Sequence, residues 1–418
     1  MKLSKFGKKL TAGSGIVELM EDLGSALNEN PEMIFMGGGN PARIPEMEAL
    51  FKQRLESIAN DSRLLSSMTG VYQSSQGELG FRRQMADLLS NQFGWSVSAS
   101  NIAVSNGSQS AFFTLYNLLA GEMPDGTNSS IHLPLTPEYI GYSDIGISDP
   151  FFTATKPDIE LMEDGLFKYR VDFSSLEISD KTAALCVSRP TNPTGNVLTD
   201  SEIQHLDQIA TNANIPLIID GAYGLPFPNI TFADVTPHWN NNTILVLSLS
   251  KLGLPGVRTG IIVANKEVIQ AYTQANTIIN LACGNLGPAM VGALFASGEI
   301  ITVSREVVKP FYQKRASQTL SLIKKYMGNT PYLVHRPEGA IFLWLWFKDL
   351  PITSAELYQR LKNRGVLVVP GHNFFPGIKD DWKHRHECIR LSYAQDRSVV
   401  ELGIKLMAEE VSRAYAEG

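Results

Sequence analysis

The sequence predicts an α/β protein: a mostly parallel sheet with helices on both faces, joined to a smaller α+β unit. Three observations predict it. Between about residues 100 and 265, short apolar runs alternate with segments whose apolar residues recur at helical spacing. Polar residues gather where each apolar run ends, and in parallel sheets ligands bind beyond the carboxyl ends of the strands. From about Ile301 the pattern changes to a long helical stretch followed by a shorter mixed unit. We therefore read residues 1–55 as an N-terminal segment contributing to the small domain and to a loop over the site. Residues 56–300 are read as the large domain, and 301–418 as a linking helix and C-terminal small domain.

The elements follow in order. Met33 to Met36 lead into Gly37-Gly38-Gly39-Asn40-Pro41, a loop whose glycines permit close backbone approach. A polar stretch with Tyr72 and Gly77 precedes an amphipathic helix with Phe81, Met85, Leu88 and Leu89 on one face. Ile102 to Val104 form a strand that enters Ser105-Asn106-Gly107-Ser108-Gln109-Ser110, where a helix opens. A glycine turn feeding a helix N-terminus is an anion site, because free backbone N–H groups and the positive dipole end converge there. It matches neither a Walker A loop nor a GxGxxG fingerprint. Ile131 to Leu135 is a strand ending at Pro137-Glu138-Tyr139-Ile140-Gly141-Tyr142, and Ala183 to Ser188 another, ending at Arg189-Pro190-Thr191-Asn192-Pro193-Thr194-Gly195. Thr199 and Glu202 form a capping box for the next helix. Ile215 to Ile219 ends at Asp220, with Tyr223 shortly after, and Thr243 to Leu247 ends at Ser248. Further strands are expected at Ile261 to Ala264, Ile341 to Phe347 and Val366 to Val369, with helices near Ser354 to Arg364 and at the C-terminus.

Composition narrows the function. The 418 residues are 44% hydrophobic and 19% charged, with room for two or three domains. A formal net charge of -6 provides no basic face for nucleic acid or an anionic membrane. Cys186, Cys283 and Cys388 are far apart among apolar neighbours, as core residues of a reducing compartment would be. No secretory signal or membrane-spanning run is visible, so a cytoplasmic location is expected. His384-Arg385-His386 with Cys388 fits no closed zinc set, and no metal is expected.

Ser248 to Gly260 carries the chemistry. Lys251 lies on a turn between two apolar runs, where desolvation and a nearby cation can free its amine to act as a nucleophile. Ser248, Ser250 and Arg258 are donors suited to a phosphate. A buried amine beside a phosphate site suggests pyridoxal phosphate, although a loop lysine with a structural arginine satisfies the same residues. The other strand ends decide between them: Ser108, Tyr139, Asn192, Asp220 and Lys251 all fall there.

Asn192-Pro193-Thr194-Gly195, Asp220-x-x-Tyr223, Ser248-x-Ser250-Lys251 with Arg258, and the late Arg390 together resemble the class I aminotransferases, which share fold type I of the pyridoxal-phosphate enzymes. The resemblance covers essentially the whole chain and implies a seven-stranded large-domain sheet. It implies that Lys251 carries the cofactor and then moves a proton between the substrate Cα and the cofactor. Asp220 would pair with the pyridine nitrogen, Tyr223 and Asn192 would meet the ring's phenolic oxygen, and Tyr139 would stack on the ring. Gly107, Ser108, Gln109, Ser248, Ser250 and Arg258 would bind the phosphate. Tyr72 would reach the same phosphate in a neighbouring subunit, which implies a homodimer with shared active sites. Arg390 would grip the substrate α-carboxylate beside Gly39, with Asn192 close by. The reaction implied is a ping-pong transfer of an amino group between an amino acid and a 2-oxo acid.

No arginine occurs between Arg258 and Arg305, where dicarboxylate-specific members add one. That stretch offers Ile278, Ile279, Leu281 and Ala282, and Gly15 and Ile16 could add to an apolar pocket suited to valine, alanine and related chains. A lyase or decarboxylase using the same cofactor is the nearest alternative. A cofactor-sensing regulator of the same fold would need a basic helix-turn-helix unit, and only about 30 residues precede the glycine loop.

Overall fold

The structure, a computed structural model, describes residues 1–11 and 15–417. Its large sheet runs in the order Ile102–Ser105, Gly260–Val263, Thr243–Ser248, Leu217–Asp220, Thr182–Ser188, Asn128–Leu133 and Gly121–Glu122, with Phe152–Ala154 paired to Asn128–Leu133. Five of these strands run parallel, from Thr243–Ser248 through Phe152–Ala154, while Gly260–Val263 is antiparallel to both its neighbours. The expected seven strands are present, and the two-residue Gly121–Glu122 adds an eighth at the edge. It pairs back on Asn128–Leu133 in a short hairpin and is too short to show any alternation. Thr243–Ser248 is buried at every position, because helices cover both faces of the sheet, and its sequence accordingly reads as a continuous apolar run.

Register sets the site. Ser188 lies opposite Asp220, Asp220 opposite Val246, and Ser248 opposite Gly260, which in turn faces Ser105. The ends of five neighbouring strands and the Gly107 turn thus open on one edge. Thr199 caps the Asp200–Asn212 helix, its hydroxyl accepting from Glu202 N–H while the Glu202 carboxylate accepts from Thr199 N–H, as the capping-box spacing predicts.

A second sheet has six strands in the order Val369–Pro370, Cys388–Ser392, Phe342–Trp346, Leu333–His335, Leu166–Arg170 and Asp158–Leu161. Its last two strands form a hairpin that lies within residues 56–300 yet pairs with the C-terminal unit, Leu166–Arg170 running parallel to Leu333–His335. The sequence reading placed no strands there. The stretch Val366 to Val369 is two short strands, one in each of two sheets, instead of one. Near the N-terminus, Ile34–Phe35 pairs in parallel with Val366–Leu367, so the glycine loop that follows is tied to the C-terminal unit. The Gly15–Glu29 helix brings Ile16, Met20 and Leu23 over the strand ends. Among the described residues, no single helix is long and apolar enough to cross a membrane.

Candidate active site

The strand ends enclose a cavity of about 470 Å³, within the usual range for a small-molecule site. Lys251, Asp220, Tyr223, Asn192, Tyr139, Ser108, Gln109, Ser248, Ser250, Arg258, Arg390 and Gly39 all line it. Residues spread over most of the chain are thereby brought to one place.

Lys251 sits on a single 3-10 turn, Ser250–Leu252, that closes the Thr243–Ser248 strand. Its Nζ donates to the Gly39 carbonyl at 2.5 Å and lies 5.2 Å from the centre of the Tyr223 ring. The lysine is half-buried and its amine faces the cavity. Desolvation, then the positive charges of Arg390 and Arg258, lower its pKa from the ordinary 10.5 to about 8, against the opposing pull of Asp220. The folded chain therefore releases this proton before the unfolded chain does. Its contribution to stability grows as pH rises from about 8 to 10.5 and is smallest below about 8. In the cofactor-free protein, acylation of Lys251 by a trace amine reagent should be half-maximal near pH 8; a midpoint near 10.5 would show that the pocket does not free the amine.

Asp220 is buried at the end of its strand and accepts from the Tyr142 hydroxyl at 2.7 Å and from Ala222 N–H at 2.9 Å. Burial pushes its carboxyl up, while these two donors favour the anion. Tyr142 was legible only as a neighbour of Tyr139, and the two rings meet edge to face.

Glu138 is a second residue that the motif reading passed over. Its buried carboxyl accepts from Ser188 N–H at 2.8 Å, Ser188 Oγ at 2.6 Å and Tyr139 N–H at 3.2 Å, and so joins two of the strand-end loops. Burial raises its pKa to about 8. A glutamate inside an otherwise apolar strand end was the one available signal.

Arg390 is buried between two aromatic rings, its Cζ 4.1 Å from the Phe342 centroid and 5.0 Å from that of Phe374. One terminal nitrogen donates to Asn192 Oδ1 and the other to the Gly37 carbonyl, both at 2.7 Å. Its Nε is buried and without a hydrogen-bond partner, a donor available to an incoming acceptor. Burial lowers the guanidinium pKa to about 10, which leaves it charged at neutral pH.

The Gly107 turn opens the Ser108–Leu119 helix with φ 96°, a conformation that favours glycine. A Cβ on Gly107 would lie 2.2 Å from Arg258 Nη2, and one on Gly260 would lie 2.7 Å from Ser108 N. Both glycines are thus needed to bring Arg258 and the first N–H groups of the helix together. The Ser248 and Ser250 hydroxyls border the same corner. This donor set, at a helix N-terminus, fits a phosphate group.

Several residues singled out in the sequence lie outside this chain's cavity. Tyr72 is 86% exposed and lines no part of it. Ile278, Ile279 and Leu281 are exposed on the surface as well, so the apolar wall is built instead by Ile16, Met20, Leu23 and Phe35. Gly15 opens the helix that carries three of these residues.

A phosphate cradle, a lysine amine and a buried aspartate at the strand ends of this fold define a class, and the sequence relationships agree with it. The chain belongs to the class I and II aminotransferases, whose family model matches residues 46–404. These enzymes depend on pyridoxal phosphate. The valine–pyruvate aminotransferase of Escherichia coli strain K12 is 50% identical over 417 residues, covering 100% of both chains. A crystal structure described as a putative amino-acid aminotransferase from Psychrobacter arcticum 273-4 is 47% identical, covers 100% of both chains and superposes with a TM-score of 0.97. The valine–pyruvate aminotransferase of Salmonella typhimurium LT2 is 48% identical, with 97% of this chain and 100% of that one covered and a TM-score of 0.89.

Proposed function

We propose that this aminotransferase moves an amino group from L-valine to pyruvate, giving 3-methyl-2-oxobutanoate and L-alanine. The observation that carries the reading is the union, in one cavity, of a buried Arg390 suited to a carboxylate, a Lys251 amine of lowered pKa and an apolar wall of Ile16, Met20, Leu23 and Phe35. Full-length identity of 50% to an enzyme with that name supports it.

When bound, pyridoxal phosphate supplies an electron sink for the pair left on the substrate Cα and a carbon that takes up the amino group. The cradle of Gly107, Ser108, Gln109, Ser248, Ser250 and Arg258 would hold its phosphate, and Lys251 its aldehyde carbon. Asp220, held by the Tyr142 hydroxyl and the Ala222 N–H, would pair with the pyridine nitrogen. Tyr223 and Asn192 would meet the phenolic oxygen, and Tyr139 would face the ring. Arg390 binds the carboxylate of whichever acid enters, oriented by Asn192 and the Gly37 carbonyl. Lys251 then removes the Cα proton, a role for which a pKa of about 8 suits it near neutral pH. The wall of Ile16, Leu23 and Phe35 keeps water from this step and accepts an apolar side chain.

Turnover with a panel of L-amino donors against pyruvate tests the assignment. L-Valine should rank with alanine-like and branched donors, well ahead of aspartate and glutamate. Dicarboxylic donors ranking first would overturn it.

The same reading assigns Tyr72 to a neighbouring subunit's phosphate. Tyr72, Val71, Ile278 and Leu281 are all exposed, and hydrogen bonds from Asn276 to the Ser75 carbonyl and from Ser75 to the Leu281 carbonyl, each 2.7 Å, join the two segments. An exposed apolar patch of this kind marks an association surface. Sedimentation should show a homodimer; a monomer at micromolar concentration would remove Tyr72 from the site.

A further inference from the structure

Gly37, Gly38 and Gly39 form one wall of the cavity, and each has a different neighbour. The Gly37 carbonyl accepts from Arg390 at 2.7 Å and the Gly39 carbonyl from Lys251 at 2.5 Å. The strip therefore runs from the guanidinium that would hold a carboxylate to the amine that would take a Cα proton. A substrate joining those two points lies along it, with its side chain beside Gly38.

Gly38 is covered by the Phe35 ring. A Cβ there would lie 2.5 Å from Phe35 Cε1 and 3.0 Å from Cζ, so the ring rests directly on the glycine. Unlike Gly107, Gly38 does not have a left-handed φ. The ring, not the backbone, is what requires glycine at this position. Phe35 itself is half-buried and lines the cavity. Its backbone is held by the bonds from Ile34 N–H to the Gly365 carbonyl, 2.8 Å, and from Met36 N–H to the Leu367 carbonyl, 2.9 Å. Leu23 extends the same apolar surface, with Cδ2 3.5 Å from where a Gly37 Cβ would be.

We propose that Phe35, seated on Gly38, sets the size limit of the substrate side chain. The inference rests on the amino-transfer reading of this site. A fixed ring leaves room for a short branched chain and crowds an aromatic one. It also offers no hydrogen bond to a side-chain carboxylate, which would be buried at a cost.

The test compares holoenzyme of the wild type, Phe35→Ala and Phe35→Leu in two ways. One is kcat/KM for L-valine and L-phenylalanine with pyruvate. The other is the dissociation constant of the unreactive acids 3-methylbutanoate and 3-phenylpropanoate. Phe35→Ala should raise the phenylalanine-to-valine ratio at least about 10-fold, mainly through KM, with Phe35→Leu between it and the wild type. Binding of 3-phenylpropanoate should tighten and that of 3-methylbutanoate weaken. If Phe35→Ala does not fold, Phe35→Leu carries the same comparison. Unchanged ratios and unchanged dissociation constants in an active variant overturn the proposal. Absence of amino transfer from valine in the wild type would instead count against the reading beneath it, and the two binding constants would still decide the role of Phe35.

Discussion

Lys251→Ala should lower amino transfer by about 10⁴-fold, because it removes both the covalent hold on the cofactor and the base at the reacting carbon. No other side chain on the cavity wall is placed to take over. Asp220 is committed to Tyr142 and Ala222. Burial pushes the Tyr139 and Tyr223 hydroxyls up and so disfavours their anions. Arg258 and Arg390 are cations. Steady-state turnover measures the loss. A second readout is borohydride treatment of the loaded enzyme followed by peptide mass analysis: cofactor should remain on the peptide containing Lys251 in the wild type and on no equivalent peptide in the variant. Normal multiple turnover by Lys251→Ala would place the chemistry elsewhere.

Arg390→Lys should act differently, raising KM for the amino acid and the 2-oxo acid together while kcat changes less. The guanidinium satisfies three demands at once. It donates to Asn192 and to Gly37, it lies between the Phe342 and Phe374 rings, and it keeps Nε free. A lysine ammonium has neither the plane for the aromatic slot nor the two-pronged geometry for a carboxylate. Breaking a buried charged hydrogen-bond pair costs about 2–5 kcal/mol, so a loss in kcat/KM of roughly 30- to 5,000-fold is expected. Unchanged KM for both acids would remove Arg390 from the site.

Both residues were legible in the sequence, for different reasons. Lys251 follows a strand end, and such strands stand out because parallel sheets buried on both faces leave long apolar runs. Thr182–Ser188, Leu217–Asp220 and Thr243–Ser248 are of this kind. Arg390, in contrast, lies in the middle of Cys388–Ser392 and was marked only by the family resemblance. The Asp158–Arg170 hairpin escapes the sequence pattern because its Asp158–Leu161 strand is largely exposed and Lys168 interrupts its buried partner. The Lys168 ammonium is buried against Glu338, a partner 170 residues away that no local pattern announces. The side-chain wall was legible only at Ile16, which lines the cavity. Ile278 and Leu281 carry the right chemistry but are exposed on this chain, whereas Phe35, in the apolar run that leads into the glycine loop, is placed on the wall by its contact with Gly38. Tyr142 and Glu138 are a third case. Their roles depend on hydrogen bonds to Asp220 and Ser188, formed across neighbouring strand ends whose register the sequence does not display.

Holoenzyme supplied with nitrogen-labelled L-valine and unlabelled pyruvate tests the central claim most directly. It should yield labelled L-alanine and 3-methyl-2-oxobutanoate in equal amounts, and with valine alone it should stop after one equivalent per site. Release of ammonia or carbon dioxide without labelled alanine would contradict it.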